Sequence, residues 1–509
     1  MPIEDSYSLS RSRPTYWLTR FVMLRLIGGI YAVAFLVAIN QIIPLIGEHG
    51  LLPVSIFLNR VSNYYGSRGA SFFHLPSLFW FSHSDNTLLT FAWIGFLVSC
   101  IVIAGYANAI ILAFLWLLYM SFVHVGQDWY GYGWEIQLTE TGFLAIFLCP
   151  LLDMRPFPRR ETPFPIIVLF RWLIFRIMMG SGLIKLRGED VWRNWTALYY
   201  HFETQPIPGP LSRWFHFLPR GMLRIGVWFN HFAELIAPCF IFWFRKIRHI
   251  AGSVILLLQI ILILSGNLSF LNWLTILPAL ACFDDGFWKK ILPKSLVAQA
   301  LKANEQAEYS RPMVITSWVI VCITGLLSIQ PVFNMLSPEQ IMNTSFDPLD
   351  LGNPYGAFGS VGKERMNVVY EGTMDSIPAD QANWKAYPYK GLPVELDKRP
   401  PQIAPYQLRL DWQMWFAAMS RPEDYPWTVN LVAKLLHNDP DAVGLFAKNP
   451  FPDKPPRFVR AILYKYKFAN PGKAKGLWWE RERLATWLPP MSVHDPVMIE
   501  FLRAEGWAQ

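Results

Sequence analysis

Seven ionisable residues stand inside long apolar runs: Arg25, Glu135, Glu140, Arg171, Arg176, His231 and Glu234. A charge in hydrocarbon is costly unless it finds a partner or water, so each is a functional suspect. Three acids face three arginines, and the set can neutralise itself. His231 and Glu234 are three apart, which puts them on one face of a helix. Lys185 sits where an apolar run meets an aromatic connection that carries His201. Two chemistries stay open for this polar cluster: ion pairs that hold a helix bundle together, or a polar cavity for a lipid, a quinone-like molecule or a proton. One His and one Glu are too few ligands for a metal site. There is no Ser-His-Asp arrangement, phosphate loop or Gly-rich nucleotide fingerprint, so the residues assign no catalytic group and no cofactor.

A second group is aromatic. Trp412, Trp415 and Phe416 recur at helical spacing, and Phe451 opens a Pro-rich connector within 449–456. Such aromatics make either a core or a contact surface, because large rigid rings bind at low entropic cost.

The elements that position these residues need lipid. The 509-residue chain is 53% hydrophobic and 16% charged, against about 25% charged in soluble proteins. Apolar segments near the required length of about 20 residues fall at 21–46, 88–106, 109–125, 135–152, 165–184, 222–244, 249–265, 268–283 and 313–332. This predicts a polytopic all-α membrane bundle of about nine transmembrane helices over 1–332. The pair 249–265 and 268–283 reads as a tight hairpin, with the second piece short enough to be re-entrant. The first segment lacks a small-x-small cleavage site and reads as a retained span rather than a cleaved signal.

The net charge of +8 lies wholly in this half, since residues 333–509 hold 20 basic and 20 acidic residues. Basic residues flanking spans follow the positive-inside bias. No basic stripe or reader motif accompanies the charge, so nucleic acid is not an expected partner. With the N-terminus cytoplasmic, 14 basic residues fall on the cytoplasmic side, among them Arg11 and Arg13, and seven on the other. Nine spans then place 333–509 outside the cytoplasm. The 185–220 connection mixes aromatic and basic residues, which suits a helix in the headgroup layer or a lid over a cavity.

After Pro331 Pro and Gly become dense. Alternation at 366–370 and 457–468 predicts strands, and 411–420 and 427–437 read as short helices. The expectation for 333–509 is a mainly β extracytoplasmic domain with short helices. The five cysteines, Cys100, Cys149, Cys239, Cys282 and Cys322, all lie in apolar stretches and read as small buried residues rather than a disulfide framework.

Several stretches resemble the lipase maturation factor family. They include Tyr16-Trp17-Leu18-Thr19-Arg20, Ile46 to Pro53, Trp134 with Glu140 to Ala145, and Leu198 to Pro208. In the C-terminal half they include Asn353 to Gly359, Arg399-Pro400-Pro401, Arg409 to Phe416 and Asn449 to Pro452. The resemblance runs from about residue 15 to about 490. It implies a membrane chaperone of the endoplasmic reticulum, or its bacterial inner-membrane counterpart. Its partners would be membrane lipids and a secreted lipase or other extracytoplasmic client, met by the C-terminal domain. A folding factor rather than an enzyme is the expected class. A weaker likeness, on Ser181 to Leu186 with Asp190-Val191-Trp192, is to the membrane part of vitamin K-dependent gamma-carboxylase. It implies an alternative: a membrane-embedded enzyme or small-molecule binder, with Lys185 as base.

Overall fold

A computed structural model describes residues 14–472 and 476–507; Arg11 and Arg13, counted in the basic bias, lie outside them. The first part folds into α1 (Trp17–Ile46), α2 (Asp85–Ala104), α3 (Ala109–Val125), α4 (Gly133–Ile146), α5 (Phe164–Arg187), α6 (Leu198–Thr204), α7 (Arg220–His231), α8 (Arg245–Ser265), α9 (Leu271–Ala279) and α10 (Arg311–Leu336). Local chemistry sets the ends. Ser84, Asn108 and Ser310 cap α2, α3 and α10 by accepting a backbone N–H of the first turn. Gly105, at φ +119°, ends α2 in a left-handed turn that residues with a Cβ avoid.

Among the described residues five helices, α1, α2, α5, α8 and α10, are long and apolar enough to cross a membrane. The nine expected spans become these five plus four shorter pieces. α3 has 17 residues. α4 has 14, and at about 1.5 Å per residue it falls short of a hydrocarbon core of about 30 Å. Every α4 residue except Phe143 is buried, so protein surrounds it. The 222–244 run breaks because Pro238 has no N–H to continue the helix. α7 gives way to a π turn at Phe232–Ile236 and then a 3-10 turn at Ala237–Phe240. α9 extends to Cys282 only through a 3-10 turn.

The C-terminal part carries a four-stranded antiparallel sheet in the order β2-β1-β3-β4, with β1 Arg365–Thr373, β2 Lys385–Ala386, β3 Phe458–Phe468 and β4 Trp479–Met491. β1 and β3 pair from Arg365↔Tyr466 to Thr373↔Phe458. Two helices, α11 (Arg409–Ala417) and α12 (Trp427–Leu436), cover the sheet's inner side. One hydrophobic core runs without a break from α1 to the strands.

Polar clasps join the two parts. Asn267, between α8 and α9, donates to the Pro208 and Pro401 carbonyls at 3.1 and 2.8 Å. Its own amide oxygen accepts from Ile403 N and Ala404 N at 2.7 and 2.8 Å. Arg365 of β1 donates to the carbonyls of Glu203, Gln205 and Pro206 at the end of α6, at 3.0, 2.5 and 2.9 Å. Glu203 is in the last turn of α6, where a helix leaves its carbonyls without partners, and Gln205 and Pro206 follow the helix end. Burial pulls the Arg365 guanidinium down to about 9.

Candidate functional site

Each acid of the polar cluster has a cationic partner, and two of the three sites are completed from the C-terminal part of the chain. Glu140 of α4 pairs with Arg176 of α5, both about 2% exposed. Its other carboxylate oxygen accepts from Tyr355 Oη at 2.7 Å and Asn353 Nδ2 at 3.2 Å. Glu135, five residues earlier on α4, accepts from Arg409 of α11 at 2.9 Å, with neither side chain exposed. Tyr119 Oη and Trp134 Nε1 donate to the same carboxylate. Gln41 of α1 fixes the start of α11 by donating to Gln407 O at 2.7 Å and accepting from Arg409 N at 3.0 Å.

The third pair is Lys185–Glu234, at 2.5 Å with both side chains about 5% exposed. Lys185 is in the last turn of α5 and Glu234 is in the π turn after α7. Gly182, one turn before Lys185, lets the two segments meet. A Cβ there would come within 2.6 Å of Leu235 Cδ2 and 3.1 Å of Glu234 Cβ. Asn230 donates to the other Glu234 oxygen at 2.9 Å, and Lys185 Nζ lies 4.9 Å from the Trp192 ring centroid.

This third pair lines a cavity of about 390 Å³. The 185–220 connection forms part of its wall through Trp192, His201 and Phe202, so this segment serves as a cover as well as a surface element, with Trp214 turned outward. Burial, aided by the Lys185 charge, pushes the His201 imidazole down to about 4, so it is neutral near pH 7. Its ring meets Phe358 edge-on at a centroid distance of 4.9 Å. Amides and hydroxyls of Gln137, Gln259, Asn272 and Thr275 line another part of the wall. The chain from Gly356 to Gly362 and the aromatics of α11 close the cavity from the C-terminal side.

Several sequence expectations change. Among the described residues, Arg176 is the one of the three arginines that meets an acid. Arg171 donates instead to Ala281 O at 2.9 Å and Tyr16 Oη at 2.7 Å. Arg25 donates to Phe21 O and Gly105 O, and lies 3.8 Å from the Phe21 ring centroid. These are carbonyl and π partners, which satisfy a guanidinium without a carboxylate. His231 and Glu234 do not act together, because the π turn sends Glu234 to Lys185 while His231 faces Trp192 O at 3.3 Å. Trp412 and Phe451 are buried, at 4% exposure each, and so are not open contact surface. Trp412 packs on Trp134 with centroids 4.8 Å apart, and Phe451 packs on Tyr387. Trp415 and Phe416 are half-buried at the cavity. The partners Asn353, Tyr355 and Arg409 lie outside the apolar runs that hold the acids. The signal that could have found them is their place in two of the family-like motifs, Asn353 to Gly359 and Arg409 to Phe416.

The lipase maturation factor transmembrane domain matches residues 18–290, and the lipase maturation factor C-terminal domain matches residues 351–489. The chain belongs to the lipase maturation factor family. It is 46% identical to lipase maturation factor 1 of Bos taurus over 94% of this chain and 90% of the relative. Identity to lipase maturation factor 1 of Homo sapiens is 44%, over 97% of this chain and 91% of the relative. Lipase maturation factor 2 of Homo sapiens is 27% identical over 96% of the chain and 85% of the relative. No solved structure matches the chain. With its membrane-spanning helices, this lipase maturation factor family member is an integral membrane protein.

Proposed function

We propose that the protein acts in the secretory membrane as a folding factor for secreted lipases, with the part after α10 facing the compartment where those lipases fold. The observation that carries this reading is the likeness to lipase maturation factor 1, which extends over both parts of the chain at 44–46% identity. The basic-residue bias supports the orientation. Five long helices and nine crossings are both odd numbers, so either count sends the C-terminal part to the side opposite the N-terminus. Client contact falls to the C-terminal domain, 333–509. The half-buried Trp415 and Phe416, with Met419 at 54% exposure, form the accessible edge of its aromatic cluster.

The test expresses a secreted dimeric lipase in cells lacking their own maturation factor. The full chain should raise lipase activity in the medium several-fold over empty vector. The Phe416→Asp, Met419→Asp double variant should lose most of that gain at equal membrane abundance. A full chain that performs no better than empty vector overturns the role, and a fully active double variant overturns the contact surface.

A further inference from the structure

We infer that the cavity beside Lys185 and Glu234 takes an uncharged acyl lipid, admitted from the bilayer between α7 and α8. On the membrane side the cavity wall is formed by Gly226 and Phe229 of α7 and by Leu258, Ile261 and Leu262 of α8. Their immediate neighbours face outward, with Ile225 68% exposed and Trp228 and Leu257 near half. One layer of helix therefore separates the cavity from the outer apolar surface. α7 and α8 meet α5 and each other largely through the π and 3-10 turns between them, not along their lengths. The half-buried Phe229, Ile261 and Leu262 therefore stand at a cleft rather than in a sealed seam.

The size fits a ligand. Pockets for small molecules span about 300–1,000 Å³ and are mostly apolar with a few fixed polar groups, and this cavity is about 390 Å³. The charge pattern selects the head. Among the described residues that line it, Lys185 and Glu234 are the ionised ones, and they neutralise each other at 2.5 Å. An anionic head would have to draw Lys185 from Glu234 and leave a buried carboxylate unpaired, which is strongly unfavourable. What the wall offers instead is neutral: the imidazole of His201, the Asn230 and Asn272 amides and the Thr275 hydroxyl. Such groups pair with hydroxyl and ester oxygens, as in a mono- or diacylglycerol. The inference does not depend on the client role, because it needs no lipase to be present.

The experiment places the full chain in phosphatidylcholine nanodiscs containing diacylglycerol with a photoactivatable group in one acyl chain, and maps the crosslinks by peptide mass spectrometry. Labelling should concentrate on 226–234 and 258–275, and unlabelled diacylglycerol should compete for it. Thr275→Phe inside the cavity and Leu262→Trp at its mouth should each cut labelling roughly tenfold. Ile250→Trp, on the outer face of α8 at 65% exposure, should leave it unchanged. Label spread over the outer faces, without competition in the wild-type chain, overturns the site even if neither cavity variant folds. Labelling of the wall by photoactivatable phosphatidylserine or ionised fatty acid as strongly as by diacylglycerol overturns the uncharged head.

Discussion

Glu135 and Arg409 lie 274 positions apart, and neither has any exposed surface. Removing one member of a buried pair leaves the other uncompensated and costs roughly 3–5 kcal/mol. Arg409→Leu should therefore lower the midpoint of heat inactivation and the folded yield on size exclusion. Adding Glu135→Gln should recover roughly half of that loss, because the amide oxygen still accepts from Tyr119 while Trp134 keeps Gln407 Oε1 as an acceptor. A double variant worse than Arg409→Leu alone would show that the pair is not the coupled unit. Asp411, two residues on, makes a pH-dependent contribution outside the membrane. It accepts from Gly391 N and Leu392 N at 2.6 and 3.0 Å, and burial pushes its carboxyl up to about 6. A folded-state value above the unfolded one means that the fold holds the proton more tightly. This contribution is complete below about pH 4 and is lost as pH rises through 6, about 3 kcal/mol in all. The wild-type chain should thus gain on Asp411→Asn in thermal stability as pH falls from 7 to 5, since Asn accepts the same two bonds without titrating. A gap between the two chains that stays constant with pH would refute this. Charges inside apolar runs were legible as residues needing partners; the partners were not, because burial also comes from chain hundreds of positions away.

Elements with a clear period were legible and those without one were not. The long apolar helices and the alternation of β1 and β3 stand out in the sequence. β4 does not: Glu480 to Arg483 alternate in charge rather than polarity, because the strand is a sheet edge open on both faces. Such charge is how edges resist pairing with other chains. α4 looks like a span from its apolar content, yet Glu135, Gln137 and Glu140 mark it as a helix buried in protein on all sides. The π turn after α7 has a cause in Pro238, but its consequence, the approach of Glu234 to Lys185, depends on Gly182 across the interface. Gly182→Val should force these segments apart at a cost of about 1–3 kcal/mol. The measurement is thermal unfolding of the purified protein beside Gly221→Val, where a Cβ meets nothing within 4 Å. Equal stability of the two variants would remove Gly182 from this role.

For the whole molecule, the sequence invited a division at residue 332 into a bundle and an appended domain, but the packing ties the two together. Asn353 and Tyr355 complete the Glu140 site, Arg409 completes the Glu135 site, and Asn267 clasps the 401–404 chain. Cutting the chain near 340 would strip two buried carboxylates of partners, so a truncated bundle reports on misfolding as much as on function. Orientation is better tested on the full chain, and α10 makes the test simple. It is the single long helix between the exposed Ser295 and the exposed Asp375, and its 26 residues reach about 39 Å, enough to cross. The comparison of these two sites therefore holds whether the shorter helices before them cross or not. Cys149 and Cys282 are buried as expected, but Cys100, Cys239 and Cys322 are exposed; with these three replaced by Ala, single cysteines at Ser295 and Asp375 should react with an impermeant maleimide from opposite sides of sealed vesicles. The Asp375 site should be the lumenal or periplasmic one, because Lys289, Lys290, Lys294 and Lys302 cluster beside Ser295 and the bias holds such residues in the cytoplasm. Reaction of both from the same side would mean that α10 does not cross, and would remove the basis for placing the sheet where secreted clients fold.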